Sequence, residues 1–303
     1  MTYQVALEFT AKTDPGRVRA HNEDSYALSP ALGNGFGLAI LADGMGGHNA
    51  GEVASALAIQ IVRQELEPRL QDLAAASPIL PEQIQEQQEQ QEQQEQQEQQ
   101  EQSGQLQSMV LDAVQAANSA ILDAAANESG YSGMGTTLVL ALFHHAQVMI
   151  AHVGDSRAYR LRGGALTQIT RDHSMLQEHI DAGLISPEQA RFSQNKNIIT
   201  RALGVSAVVL VDIDAEAVEP DDLYLLCSDG LSDMLEAEEI HAILNHFSAD
   251  RALACETLVE AANAYGGRDN VSVILIKIIA QAGPETVPAV ADSAFGRFLN
   301  WLK

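Results

Sequence analysis

Four aspartates stand beside a glycine or in a glycine-rich turn at the ends of apolar runs. They are Asp43 in GLAILADGMGGH (37–48), Asp155 in VGDSR (153–157), Asp229 in SDG (228–230) and Asp269 in GGRDN (266–270). A short aliphatic run bounded by glycine reads as a buried strand, so each carboxylate sits where the chain enters or leaves the core. In the first stretch Gly44 lets the backbone fold back until a carbonyl faces the same point as the Asp43 carboxylate. Alone, that stretch reads equally well as a cap for the helix that begins near Glu52 and Val53. Several carboxylates converging at one sheet edge repel one another severely unless cations neutralise them. Ligation by carboxylates, a backbone carbonyl and water selects Mg²⁺ or Mn²⁺ and disfavours zinc, and the nine histidines show no zinc spacing. His144 and His145 are adjacent in an expected turn and are read as exposed. Cysteine chemistry is excluded as well. Six residues beyond Cys227 and Cys255 stand Asp233 and Ala261 in place of an arginine, and the chain has no Walker loop.

The elements that must position these residues follow from periodicity. Residues 5–10 alternate as a half-buried strand and run into the turn Thr13–Gly16. RVRAHNED (17–24) is expected to be a loop or extended segment. Val53, Leu57, Ile61, Val62 and Leu66 have helical spacing, giving a strand-turn-helix unit, and a second helix carries Leu106, Val110, Val114, Ala117, Ile121 and Leu122 on one side. Two hairpins are expected, 136–143 with 147–153 and 158–161 with 165–169. Strands follow at 208–213, 223–227 and 271–279. Helices are expected at 238–247 and 250–265, the latter with Leu253, Thr257, Leu258 and Ala261 inward. The polar segment 172–204, broken by Gly183, Pro187 and Asn195, reads as a mobile lobe over a site.

The 303 residues carry a formal charge of −24 and only two cysteines. That balance argues against nucleic-acid binding and against adhesion to anionic lipid. With no signal peptide, no long apolar span and no disulfide framework, a cytoplasmic protein is expected, and a monomer. From Glu82 to Gln102 the composition collapses to Gln and Glu, with glutamates every third residue from 86 to 101. Such a segment has no apolar face to bury and is read as an insertion (82–104), helical or disordered, serving as a spacer. The tail 281–303 is Pro- and Ala-rich, then gives a short amphipathic helix with Phe295, Phe298, Leu299, Trp301 and Leu302.

The series RVRAHNED, LADGMGGH, SGMGTT, VGDSR, SDGLSD and GGRDNVS, in that order, resembles the bacterial branch of the metal-dependent PP2C-type serine/threonine protein phosphatases. The resemblance spans roughly residues 10–279 and makes 1–280 one catalytic domain. It implies an α+β fold, a four-layer α-β-β-α sandwich around two antiparallel sheets, with a metal cleft at one end. It makes Asp43 the bridge between two Mn²⁺ or Mg²⁺ ions and the carbonyl of Gly44 a further ligand, with Asp229 and Asp269 completing the set. Glu23 and Asp24 hold waters or the outer shell. Asp155, helped by Asp229, binds a third ion. Arg19 grips phosphate, Asn270 orients its neighbours, and the 172–204 lobe is a flap.

The implied reaction is hydrolysis of phosphoserine and phosphothreonine without a covalent intermediate, by a water shared between the metals. The implied partners are phosphorylated proteins and an opposing serine/threonine kinase. Some members carry histidine where this chain has Met45, which cannot protonate the leaving oxygen; the candidate replacements are His48 and a metal-bound water. Arg157 and Arg201 are read as structural, bracing cleft and flap. Arg19 has an alternative reading as a surface partner of Asp24. Two rival functions remain at this level. One is a phosphoprotein-binding relative that has lost turnover, which the complete aspartate set disfavours; the other is a small-molecule phosphoesterase.

Overall fold

A computed structural model describes residues 4–33, 35–47, 49–76, 88–190 and 198–281. The strands are β1 (Gln4–Asp14), β2 (Asp24–Ser29), β3 (Gly37–Met45), β4 (Gly135–Thr136), β5 (Leu138–His144), β6 (Gln147–Val153), β7 (Arg157–Arg162), β8 (Ala165–Gln168), β9 (Asp212–Ala217), β10 (Leu223–Cys227) and β11 (Val271–Gln281). The helices are α1 (Ala50–Ala76), α2 (Gln88–Asn127), α3 (Met175–Asp181), α4 (Pro187–Ala190), α5 (Asp229–Ser232), α6 (Ala237–His246) and α7 (Arg251–Ala264).

Two antiparallel sheets form, one ordered β1-β11-β10-β7-β8 and the other β2-β3-β5-β6-β9, with β4 pairing onto the end of β3. The period-two alternation of their strands sorts side chains into separate layers. On β3, Leu38, Ile40 and Ala42 face α1 and α2, while Ala39 and Leu41 enter the space between the sheets. On β11, Val271, Val273 and Leu275 face α5, α6 and α7, while Ile274, Ile276 and Ile278 point into that space. The result is the expected α-β-β-α sandwich, each sheet buried on both faces.

Several elements differ from the sequence expectation. The strand expected at 208–213 forms at Asp212–Ala217, paired with Gln147–His152, and Val208 and Leu210 are exposed. The apolar run is therefore the approach to an edge strand, in which Asp214 is exposed while Asp212 and Glu216 are partly buried and paired. RVRAHNED ends in β2, which was not expected because DSYALS mixes polar and apolar residues without clear alternation. In α7 the buried set is Ala254, Cys255, Leu258, Val259 and Ala262, with Leu253 turned outward; apolar residues on every side hide the true face. His144 is the last residue of β5 and is buried, its imidazole pushed down to about 4 by burial and then by His145, so only His145 fits the exposed reading. The turn falls on His145 and Ala146 instead of the histidine pair. α2 begins at Gln88, so the helical backbone extends into the Gln/Glu-rich segment. His48 and the tail helix lie outside the described residues.

Candidate active site

β2 and β3 place Asp24 directly opposite Asp43 across an antiparallel ladder. The backbone of Asp43 is clamped by the two threonines of SGMGTT. Its N–H donates to Thr137 Oγ1 at 3.0 Å, and its carbonyl accepts from Thr137 N at 2.9 Å and Thr136 Oγ1 at 2.8 Å. Gly44 follows, its N–H bonded to the Glu23 carbonyl at 3.1 Å. A Cβ on Gly44 would collide with the carbonyl of Gly51, and one on Gly51 would lie 2.7 Å from Glu23 Oε1. Both glycines are therefore needed to bring the first turn of α1 against the strand end and the Glu23 carboxylate.

The other acids arrive from the opposite sheet. Asp229 opens α5 directly after β10, and Asp269 stands just before β11. Ser228 Oγ donates to Asp24 Oδ2 at 2.8 Å and so joins the two sheets at this end. Asn270 organises the RVRAHNED loop: its Nδ2 donates to the carbonyls of Pro15 (3.0 Å) and His21 (2.9 Å), and its Oδ1 accepts from Glu23 N at 2.8 Å. Asp155 follows the β6 turn and shares with Asp229, Asp172 and Asp233 a cleft of about 180 Å³ under the flap root.

Electrostatics tie these groups into one centre. Burial raises Asp43 well above the carboxylate range, and Asp24, Asp229, Asp155 and Asp269 push it further. Asp229 is raised likewise, by burial and then by Asp155, Asp233, Asp269 and Asp24. Burial lifts Asp24 to about 6 against the bonds from Ser272 and Ser228, and lifts Asp155 to about 7 with Asp172 adding to it. Glu23 is raised by burial, with Arg19 acting the other way. Asp24, Asp155 and Asp229 each keep one carboxylate oxygen buried with no hydrogen-bond partner among the described residues. Three such oxygens in a carboxylate cluster suit hard divalent cations.

Arg19 is half-exposed at the rim and pairs with Asp269 at 2.6 Å, so its partner is Asp269 and not the Asp24 of the alternative reading. Partial burial lowers its pKa, but the Asp269 pairing outweighs that and holds it above its usual range. Arg157 makes a bidentate pair with Asp172 at 2.9 and 2.6 Å, and Arg201 bonds Asp212 at 2.8 Å, so both ends of the 172–204 segment are tied down by ion pairs. Met45 packs against Gly135, its Cε 3.1 Å from where a Cβ would stand. All eight described site candidates, Arg19, Glu23, Asp24, Asp43, Gly44, Asp155, Asp229 and Asp269, thus gather at one end of the sandwich. Unforeseen were the Thr136 and Thr137 clamp, the Ser228 link and a second cluster, His152, His173 and Asp212, whose ligand atoms lie within 4.8 Å of one another. The threonines could have been found, since they follow the glycine that pairs with Met45. The histidine cluster could not, because it joins β6, the flap root and β9 with no local signal.

Comparison with known proteins places this two-sheet sandwich, with its carboxylate centre and rim arginine at one end, in a class of phosphatases. The family model for protein phosphatase 2C matches residues 17–261. The serine/threonine phosphatase Stp of Listeria monocytogenes is 36% identical over 268 residues, covering 88% of this chain and 94% of its own. The serine/threonine protein phosphatase PstP of Mycobacterium tuberculosis is 36% identical over 293 residues, covering 96% of this chain and 49% of its own. Among solved structures, the PstP catalytic domain in complex with two manganese ions superposes with a TM-score of 0.70 at 36% identity, covering 91% of this chain and 99% of that one. Stp1 of Staphylococcus aureus superposes with a TM-score of 0.72 at 32% identity, covering 93% and 98%.

The chain belongs to the protein phosphatase 2C family. It is a protein serine/threonine phosphatase, a hydrolase whose substrates are phosphorylated proteins.

Proposed function

We propose that catalysis depends on Mn²⁺ or Mg²⁺ held by this carboxylate centre. Asp43, the Gly44 carbonyl, Asp229 and Asp269 would hold two such ions, Glu23 and Asp24 would hold their waters or the outer shell, and Asp155 with Asp229 would hold a third. The observation that carries this reading is the set of orphaned buried oxygens on Asp24, Asp155 and Asp229 around a half-buried Asp43. The manganese ions of the PstP catalytic domain support the choice of metal. Bound metal supplies Lewis acidity and cancels the carboxylate repulsion.

The chain's own residues do the rest. Arg19, planar and rim-placed, exchanges Asp269 for two phosphoryl oxygens of the substrate. Gly44 and Gly51 keep Glu23 at the start of α1. No cysteine serves as nucleophile, because Cys227 and Cys255 are buried and burial pushes both thiols up to about 12. Met45 carries no proton to give, and His48 is the proposed donor to the leaving oxygen. In the cell the enzyme opposes a serine/threonine kinase in phosphorylation signalling, in the cytoplasm and as a monomer. No helix among the described residues is long and apolar enough to cross a membrane.

The test is Mn²⁺-dependent hydrolysis of a phosphothreonine peptide compared with sugar phosphates. Asp43→Ala is expected to lower turnover by about a thousandfold or more, and excess EDTA to do the same to the unaltered enzyme. Activity surviving either change would remove the metal from the mechanism; preference for sugar phosphates would make the chain a small-molecule phosphoesterase.

A further inference from the structure

The flap segment is anchored at both ends on one residue, His173. Its backbone N–H donates to the Gly154 carbonyl at 2.9 Å, and its own carbonyl accepts from Thr200 N at 2.8 Å. The neighbouring Ser174 bridges to Ile199, and Met175 N donates to the Ile198 carbonyl at 2.9 Å. The two roots of the flap are thereby laced together and hung on the Gly154 turn. The imidazole repeats the connection: it is buried, stacks on His152 at 4.5 Å with 23° between rings, and takes the Gly154 N–H on its Nδ1 at 3.1 Å.

The second ring nitrogen fixes the chemistry. Nε2 lies 3.2 Å from Asp212 Oδ2 and 3.2 Å from Arg201 Nη1, while Arg201 Nη1 donates to Asp212 Oδ1 at 2.8 Å. A neutral ring that accepts at Nδ1 carries its proton on Nε2 and must donate there, so Asp212 is its partner and Arg201 serves Asp212. His152, His173 and Asp212 also have the composition of a metal site, and the hydrogen bonds oppose that reading. Metal on Nε2 of a neutral imidazole needs the proton on Nδ1, where it would face the Gly154 N–H donor to donor. Ring nitrogens of metal-bound histidines instead donate to carbonyls or carboxylates. The guanidinium beside Nε2 further repels a cation.

We propose that His173, held in the Nε2–H tautomer by Asp212 and Arg201, is a positioning residue that sets the Gly154–Asp155 turn and couples it to both roots of the flap. Gly154 needs this support. It adopts φ +106°, and a Cβ there would sit 2.7 Å from Thr137, the residue that clamps Asp43. One tie therefore joins the flap, the turn that carries Asp155 and the strand end that carries Asp43. The consequence for catalysis rests on the assignment of Asp155 to the metal centre, so the primary measurements need neither metal nor turnover.

In metal-free protein, ¹⁵N-edited NMR is expected to show His173 as the Nε2–H tautomer with Nδ1 accepting. His173→Phe keeps the ring volume and the stacking but loses both bonds. The amides of Gly154 and Thr200 are then expected to exchange about tenfold faster or more. His173→Asn, whose amide oxygen can take the Gly154 N–H, restores protection at Gly154. Asp212→Ala, at a half-exposed position that leaves the fold intact, frees the tautomer choice and weakens Gly154 protection by itself. Faster exchange together with a several-fold higher Mn²⁺ requirement for turnover supports the coupling to Asp155. Faster exchange with an unchanged Mn²⁺ requirement supports the clamp and removes Asp155 from the metal centre. An Nδ1–H tautomer, Gly154 exchange in His173→Phe and Asp212→Ala unchanged from the unaltered protein, or stoichiometric Zn²⁺ shifting both the His152 and His173 ring signals would overturn the proposal.

Discussion

Two like charges set directly opposite in an antiparallel ladder destabilise it, and Asp24 faces Asp43 in that way. Without metal the cost is expressed as proton uptake. In an unfolded chain aspartate ionises near 3.9, whereas in the folded chain Asp24 is lifted to about 6 and Asp155 to about 7, chiefly by burial. Between these values the folded state binds more protons than the unfolded one. Stability present below roughly pH 4 is therefore lost as the pH climbs through 6 and 7. Melting temperatures of EDTA-treated protein from pH 5 to 8 are expected to fall, and saturating Mn²⁺ to flatten the curve; a metal-free curve that stays level or rises would contradict this. The strand-end glycines exposed Asp43, Asp155, Asp229 and Asp269 in the sequence because local backbone geometry needs them there. The partner of Arg19 was not legible, since Asp269 lies 250 residues away and nothing local distinguishes it from Asp24.

At the scale of elements, α1 and α2 pack together on the β2-β3-β5 face, with Ala74 near the end of α1 and Leu106 both in that core. The buried stripe of α2, from Leu106 through Ile121, begins after the Gln/Glu-rich stretch ends, so that stretch contributes no core residue beyond position 99. Deleting residues 82–102 is expected to leave turnover within about twofold and the melting temperature within about 2 °C. Circular dichroism melts and peptide assays check this, and a large loss in either would make the segment part of the working fold. Helical spacing made α1 and α2 readable, and turn chemistry made both hairpins readable. β9 was misplaced because strand pairing with β6, not local hydrophobicity, decides where it starts. The 172–204 segment showed its irregularity in its Gly, Pro and Asn breaks, but its anchoring on His173 depends on tertiary contacts that no spacing encodes.

At the scale of the whole molecule, the two sheets are joined by more than the apolar layer between them. Arg160 on β7 pairs with Glu216 on β9 at 2.5 Å, and Tyr224 OH donates to Glu216 at 3.0 Å. Beside them Arg162 grips the fully buried Asp222 through two bonds of 2.8 and 2.6 Å. Removing one partner of such a pair strands a buried charge, so Arg162→Leu is expected to cost about 3–5 kcal/mol in denaturant unfolding. Because the pair lies in the sheet away from the carboxylate centre, KM and kcat at low temperature should not move, and Arg162→Leu with Asp222→Leu should recover most of the loss. Fold class was legible from the motif order, whereas this network was not, because charged residues on strands read as solvated faces. The pairing of β1 with β11 along their whole length has a further consequence, one of timing. β1 finds its neighbour only when β11 has been made, and Asp24 and Asp43 wait for Asp229 and Asp269. Such long-range closure folds slowly, and a chain cut short before Asp229 has neither a closed sheet nor all four strand-end aspartates. During synthesis the phosphatase is therefore expected to be silent until β11 has been made.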